Sequence, residues 1–92
     1  MLPHLQEVAD TLAAAIDLST KKEKDTDWYH ARLELKSKFS KPEIVGMCKT
    51  AGMVGRMTST RKSWLIVVLL ETVLDWDGDG NLLSTSTVTT IR

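Results

Sequence analysis

The chain has a single cysteine, Cys48, so no intramolecular disulfide forms and a disulfide scaffold is excluded. A lone thiol fits a reducing compartment most simply. Long hydrophobic runs are missing as well. The longest, Trp64 to Leu70, ends at Glu71 after seven residues, whereas a membrane-spanning helix needs about twenty. Met1-Leu2-Pro3-His4 lacks the cationic start of a signal peptide, and Asp10 and Asp17 interrupt the apolar stretch behind it. These absences lead us to expect a soluble chain with no membrane partner, cytoplasmic, or inside a virion if it is an assembly component. Net charge is absent too: twelve Lys and Arg balance twelve Asp and Glu. That excludes a polybasic protein held to its target by bulk charge alone. No Gly-rich phosphate loop occurs. His4 and His30 stand far apart with no Cys or acid at zinc-ligand spacing, and no base lies near Cys48 in sequence. The expectation is therefore no enzyme, no catalytic residues and no cofactor.

What is present is a composition of 42% hydrophobic and 26% charged residues over 92 positions, which suits one small globular domain. A core of that size stabilises by only roughly 3–5 kcal/mol, so a protein partner or self-association is expected to matter. Leu5, Val8, Leu12 and Ile16 recur at helical spacing and predict a helix within residues 1–18, favoured by Ala13, Ala14 and Ala15. Residues 19–25 read as a solvated linker. A helical core then extends over 26–74. Asp25 or Thr26 is positioned to cap its first helix, in which Trp28, Ala31 or Arg32, Leu35 and Phe39 share a side.

Ser40-Lys41-Pro42-Glu43 is a capping box with proline in the first turn. Ile44, Met47, Cys48 and Ala51 follow at helical spacing, and Gly52 is placed for a left-handed stop. Met53 to Thr58 reads as an extended connection. Ser59 or Thr60 is expected to cap a last helix over about 61–74. Because Trp64 to Leu70 are apolar on every side, three short helices are expected to cover this helix only in part. Trp64, Val67, Val68 and Leu70 are accordingly the candidate partner interface. Residues 75–92 form an acidic turn and a Ser/Thr-rich tail, strand-prone yet with no partner strand evident in the chain. The fold class expected is all-α: a bundle of about four helices.

The neutral total hides a pattern. Residues 1–35 hold seven acids and four bases, a net of −3. Residues 36–62 hold seven bases (Lys36, Lys38, Lys41, Lys49, Arg56, Arg61, Lys62) and Glu43, a net of +6. Residues 63–92 carry four acids and Arg92, again −3. The basic block coincides with the run Pro42-Glu43-Ile44-Val45-Gly46-Met47-Cys48-Lys49-Thr50-Ala51-Gly52-Met53 and the following Arg61-Lys62-Ser63-Trp64-Leu65-Ile66-Val67-Val68-Leu69-Leu70. Residues 40–70 thereby resemble the helix–extended loop–helix module of the SAP and Rho-N families, the latter being the small N-terminal domain of the transcription terminator Rho. Thr60 stands where SAP modules place a glycine. The resemblance implies that the loop and the start of the second helix face DNA or RNA, with Arg56, Thr60, Arg61 and Lys62 on phosphate. Lys41 joins them through the basic block. Members of these families also serve as docking elements, so an assembly subunit is the alternative role.

One further motif carries chemistry. Asp75-x-Asp77-x-Asp79-Gly80 matches the start of a calcium loop, where alternate carboxylates converge on a hard cation. The twelfth position, which should supply a bidentate acid, is Ser86. A weak calcium candidate at Asp75, Asp77 and Asp79 is therefore set against a plain Asp/Gly turn.

Overall fold

The computed structural model describes residues 3–53 and 55–84. Four helices carry the architecture: α1 (Pro3–Ala15), α2 (Asp27–Lys38), α3 (Lys41–Thr50) and α4 (Lys62–Val73). A two-stranded antiparallel sheet of β1 (Asp75–Trp76) and β2 (Leu82–Ser84) follows. The chain is thus a small all-α bundle with one short hairpin.

The periodicities read from the sequence place the core. Val8, Leu12 and Ile16 from the first segment, Ala31 and Leu35 from α2, and Ile44, Val45 and Cys48 from α3 are all buried. They converge on Leu65, Ile66, Leu69, Leu70 and Val73 of α4. α1, α2 and α3 all touch α4, which makes it the central element. A helix with apolar residues on all sides folds stably only where neighbours cover most of it. Cover is broader than the sequence suggests. Five of the twelve α4 residues are buried and Val67 and Val68 are half-buried, while Trp64 remains 60% exposed.

Local chemistry sets the helix ends. Ser40 Oγ accepts from the Glu43 amide while Glu43 Oε1 accepts from the Ser40 amide at 2.9 Å, so the capping box closes α3 at its start. Its other end is a Schellman turn: Gly52 adopts φ +85°, its amide donates to Lys49 O, and the Met53 amide donates to Cys48 O. Thr26, the second of the two expected candidates, caps α2 by accepting from the Tyr29 amide.

Four expectations are corrected. The first helix stops at Ala15, because Asp17 Oδ1 accepts the Ser19 amide and nucleates a short 3-10 turn over Leu18–Thr20, across the boundary between the segments read as helix and linker. The connection before α4 is not extended throughout, since Met57–Ser59 forms another 3-10 turn that buries Met57 against the core. Neither Ser59 nor Thr60 caps α4. Arg61 occupies the cap position with no side-chain hydrogen bond, while the Ser59 and Thr60 hydroxyls donate to Arg56 O. Finally, Leu82–Ser84 does find a partner strand within the chain, at Asp75–Trp76. The remainder of the Ser/Thr-rich tail, residues 85–92, lies outside the described residues.

α2 and α4 run in opposite senses. The start of α4 meets the end of α2, where Lys62 Nζ donates to Lys36 O at 2.8 Å. The hairpin that follows α4 meets the start of α2, where the Trp28 amide donates to Gly80 O at 2.9 Å and the Leu82 amide to Asp27 Oδ2 at 2.9 Å. At about 1.5 Å per residue, these two ends of the pair lie some 18 Å apart.

Candidate nucleic-acid interface

The topology brings five of the seven bases of the basic block to one end of the α2–α4 pair. The end of α2 supplies Lys36, the start of α3 Lys41, the loop Arg56, and the start of α4 Arg61 and Lys62. Two contacts lock these elements together: Lys62 to Lys36 O, already described, and Lys41 Nζ to Thr58 O at 2.8 Å. Lys62 also faces the capping carboxylate of Glu43. Bonds from the Ser40 amide and hydroxyl hold that carboxyl below its ordinary value, and the Lys62 charge adds to the effect.

The five candidates therefore divide. Lys41 and Lys62 are half-buried and bind backbone carbonyls, so both have a structural task. Thr60 donates its hydroxyl hydrogen to Arg56 O at 2.8 Å, which ties it to the loop. Arg56 and Arg61 are exposed and enter no ion pair among the described residues. Beside them, α4 begins without a side-chain cap and with no acid in its first turn. Its first amides, at Lys62 and Ser63, consequently have no protein acceptor among the described residues. Placing cations at a helix N-terminus opposes the helix dipole by about 0.3–1 kcal/mol each. Sequence design for stability alone would put an acid or a serine there.

The candidate partner interface also divides. Trp64, Val67 and Val68 lie on the outer side of α4, but Leu70 is fully buried. Six residues at 100° per residue carry Leu70 about 120° around the helix from Trp64, onto the core side with Ile66 and Val73. Its carbonyl accepts the Trp76 indole N–H at 3.0 Å.

The acidic turn does not gather its carboxylates. Asp77 Oδ1 accepts the amides of Asp79 and Asn81, each at 2.8 Å, and Oδ2 accepts from Asn81 Nδ2. These bonds, the Asn81 amide foremost, hold its carboxyl below the ordinary value. Asp75 is exposed in β1 and Asp79 exposed in the turn. Among the described residues, no three His, Cys, Asp or Glu side chains converge where an ion would sit. Of the two readings of this segment, the geometry is that of the plain Asp/Gly turn, in which Asp77 serves the backbone amides on its own side.

Sequence reasoning missed a polar cluster on α2. His30 Nε2 lies 3.1 Å from Glu34 Oε1, 3.2 Å from Thr20 Oγ1 and 2.9 Å from Asp17 O. All three partners meet one ring nitrogen, so no hydroxyl–imidazole–carboxylate relay exists. The cluster stitches the first 3-10 turn to α2, and Lys38 extends it with an ion pair to Glu34 at 3.1 Å. The His30, Glu34, Lys38 spacing of four was its visible signal. Cys48 is buried, which pushes its thiol up and keeps it protonated.

No family model, no curated protein and no solved structure matches the chain. No helix among the described residues is long and apolar enough to cross a membrane.

Proposed function

We propose that the chain is a small non-catalytic module that contacts the phosphate backbone of DNA or RNA through the basic end of the α2–α4 pair. The observation that carries this reading is the uncapped start of α4 beside two exposed guanidinium groups, Arg56 and Arg61, that enter no ion pair among the described residues. Free amides, the positive end of a helix dipole and two arginines together suit an anion that the protein itself does not supply. Lys41 and Lys62 contribute field while bracing the elements. The SAP and Rho-N resemblance points to the same loop and helix start.

Contacts of this kind are few, so binding is expected to be weak and to lose affinity with a log–log salt slope of about −2 to −3. Fluorescence anisotropy with labelled single-stranded and duplex oligonucleotides at low salt measures it. Arg56→Glu with Arg61→Glu is expected to weaken binding about tenfold or more with the fold unchanged. No binding at low salt, or an indifferent double variant, sinks the reading.

A protein-contact role in an assembly is the second reading. The 60% exposure of Trp64, a large aromatic in the first turn of the molecule's most apolar helix, favours it.

A further inference from the structure

The nucleic-acid reading accounts for the basic end of α4 and leaves the rest of its outer face without a role. At 100° per residue, Trp64 and Glu71, seven positions apart, lie on one solvent-facing line. Val67 and Val68 flank that line on either side, half-buried, opposite the buried side of Leu65, Ile66, Leu69 and Val73. Arg61 stands exposed before the first turn, and Asp75 exposed just past the last. Read along the helix, the face runs from a cation through a tryptophan and two valines to Glu71, with a second acid, Asp75 of β1, exposed just beyond the helix end. No acid lies in the first turn and no base in the last, so both ends carry charges of the sign that its own dipole disfavours.

We infer that this face pairs with the same face of a second copy of the chain, the two α4 helices antiparallel about a two-fold axis between Val67 and Val68. An antiparallel dyad brings residue positions together whose numbers are symmetric about the axis. It therefore sets Trp64 of each copy against Glu71 of the other, where the indole N–H meets a carboxylate acceptor. It sets Arg61 of each copy opposite Leu74 of the other, one position short of the exposed Asp75 and within reach of its carboxylate, and it opposes the two helix dipoles. The charge order that is unfavourable within one helix becomes complementary twice over between two. The four valines and two indoles at the centre supply apolar burial, with the charged residues at the rim. A parallel pairing would place like charges together at both ends, and it is excluded on that ground.

This pairing rests on the second reading above and names its occupant. Sedimentation of the wild-type chain is expected to show a monomer–dimer equilibrium with a Kd on the order of 100 µM or tighter, suited to one short helix face. Trp64→Ala, exposed and hence benign to the fold by circular dichroism, is expected to weaken association about 30-fold. Arg61→Glu alone and Glu71→Lys/Asp75→Lys alone should each abolish the homodimer, since each creates two like-charged ends. An equimolar mixture of the two variants should restore a species of two chains, both ends now matched. A monomer at about 1 mM wild-type chain overturns the pairing. So does a dimer indifferent to Trp64→Ala, an unrescued mixture, or a rescue that grows past two chains in head-to-tail fashion. The wider protein-contact reading has its own readout: a fluorine label on Trp64 whose resonance is the same in buffer and in concentrated cell extract would end that reading too.

Discussion

The two ends of the α2–α4 pair are built on opposite principles. At the acidic end, hydrogen-bonding groups close on one another. Asp27 holds the Leu82 amide, Gly80 O holds the Trp28 amide, Asp77 holds its own turn, and the Trp76 indole reaches Leu70 O. At the basic end, α4 starts with no side-chain cap and two arginines face solvent with no ion pair among the described residues. A bundle this small has little stability to spare. It uses side-chain and backbone bonds to close the acidic end, while the basic end is tied only by Lys41 and Lys62 and keeps its helix start uncapped, the feature on which the proposed phosphate contact rests.

Substitutions at the closed end should be the most damaging. Trp76→Ala removes a half-buried indole packed on the core and its bond to Leu70 O. A loss on the order of 3 kcal/mol is expected, read as a drop in thermal midpoint of about 10–20 °C. Gly80 sits at φ +84° with its missing Cβ 3.2 Å from Thr26 Cβ, so alanine there meets both backbone strain and the cap residue of α2. Gly80→Ala should destabilise by about 1–2 kcal/mol in urea unfolding. If either change proves neutral, the closed end is not what holds the hairpin.

The open end should respond with the opposite sign. Arg61→Ser installs the missing cap and is expected to stabilise by about 1 kcal/mol while weakening oligonucleotide binding in the same preparation. Stability and binding moving together would undo the contrast between the ends. The smallest effect concerns Glu43, whose folded pKa lies below its ordinary 4.5. A depressed carboxyl contributes stability above its unfolded pKa and loses it as pH falls through the folded one. The thermal-midpoint advantage of wild type over Glu43→Gln should therefore be present at neutral pH and fade on acidification below about 4.5.

How much of this was legible in the sequence follows the range of the interactions. α3 was readable at both ends because Ser40, Glu43 and Gly52 act within a few residues of their partners. The buried stripes of the first helix and of α2 were readable because helical spacing alone selects a face. The fate of Leu70 was not, since an all-apolar helix gives no phase from which to tell its outside from its inside. Nor were the engagements of Lys41 and Lys62. A lysine in a basic run looks the same whether it faces solvent or reaches the carbonyl of Thr58 or Lys36. The acidic turn kept two readings for a related reason, because alternate aspartates suit a cation as well as they suit backbone amides and only the loop's path decides.

The bond from the Leu82 amide to Asp27 joins positions 55 residues apart. Closing a loop that long orders most of the chain, so this contact is expected to form after the helices have docked. The hairpin is then the clasp of the fold, and opening it frees the start of α2. Hydrogen exchange at the Leu82 amide would time that clasp, reporting whether the acidic end lets go before the core melts or only together with it.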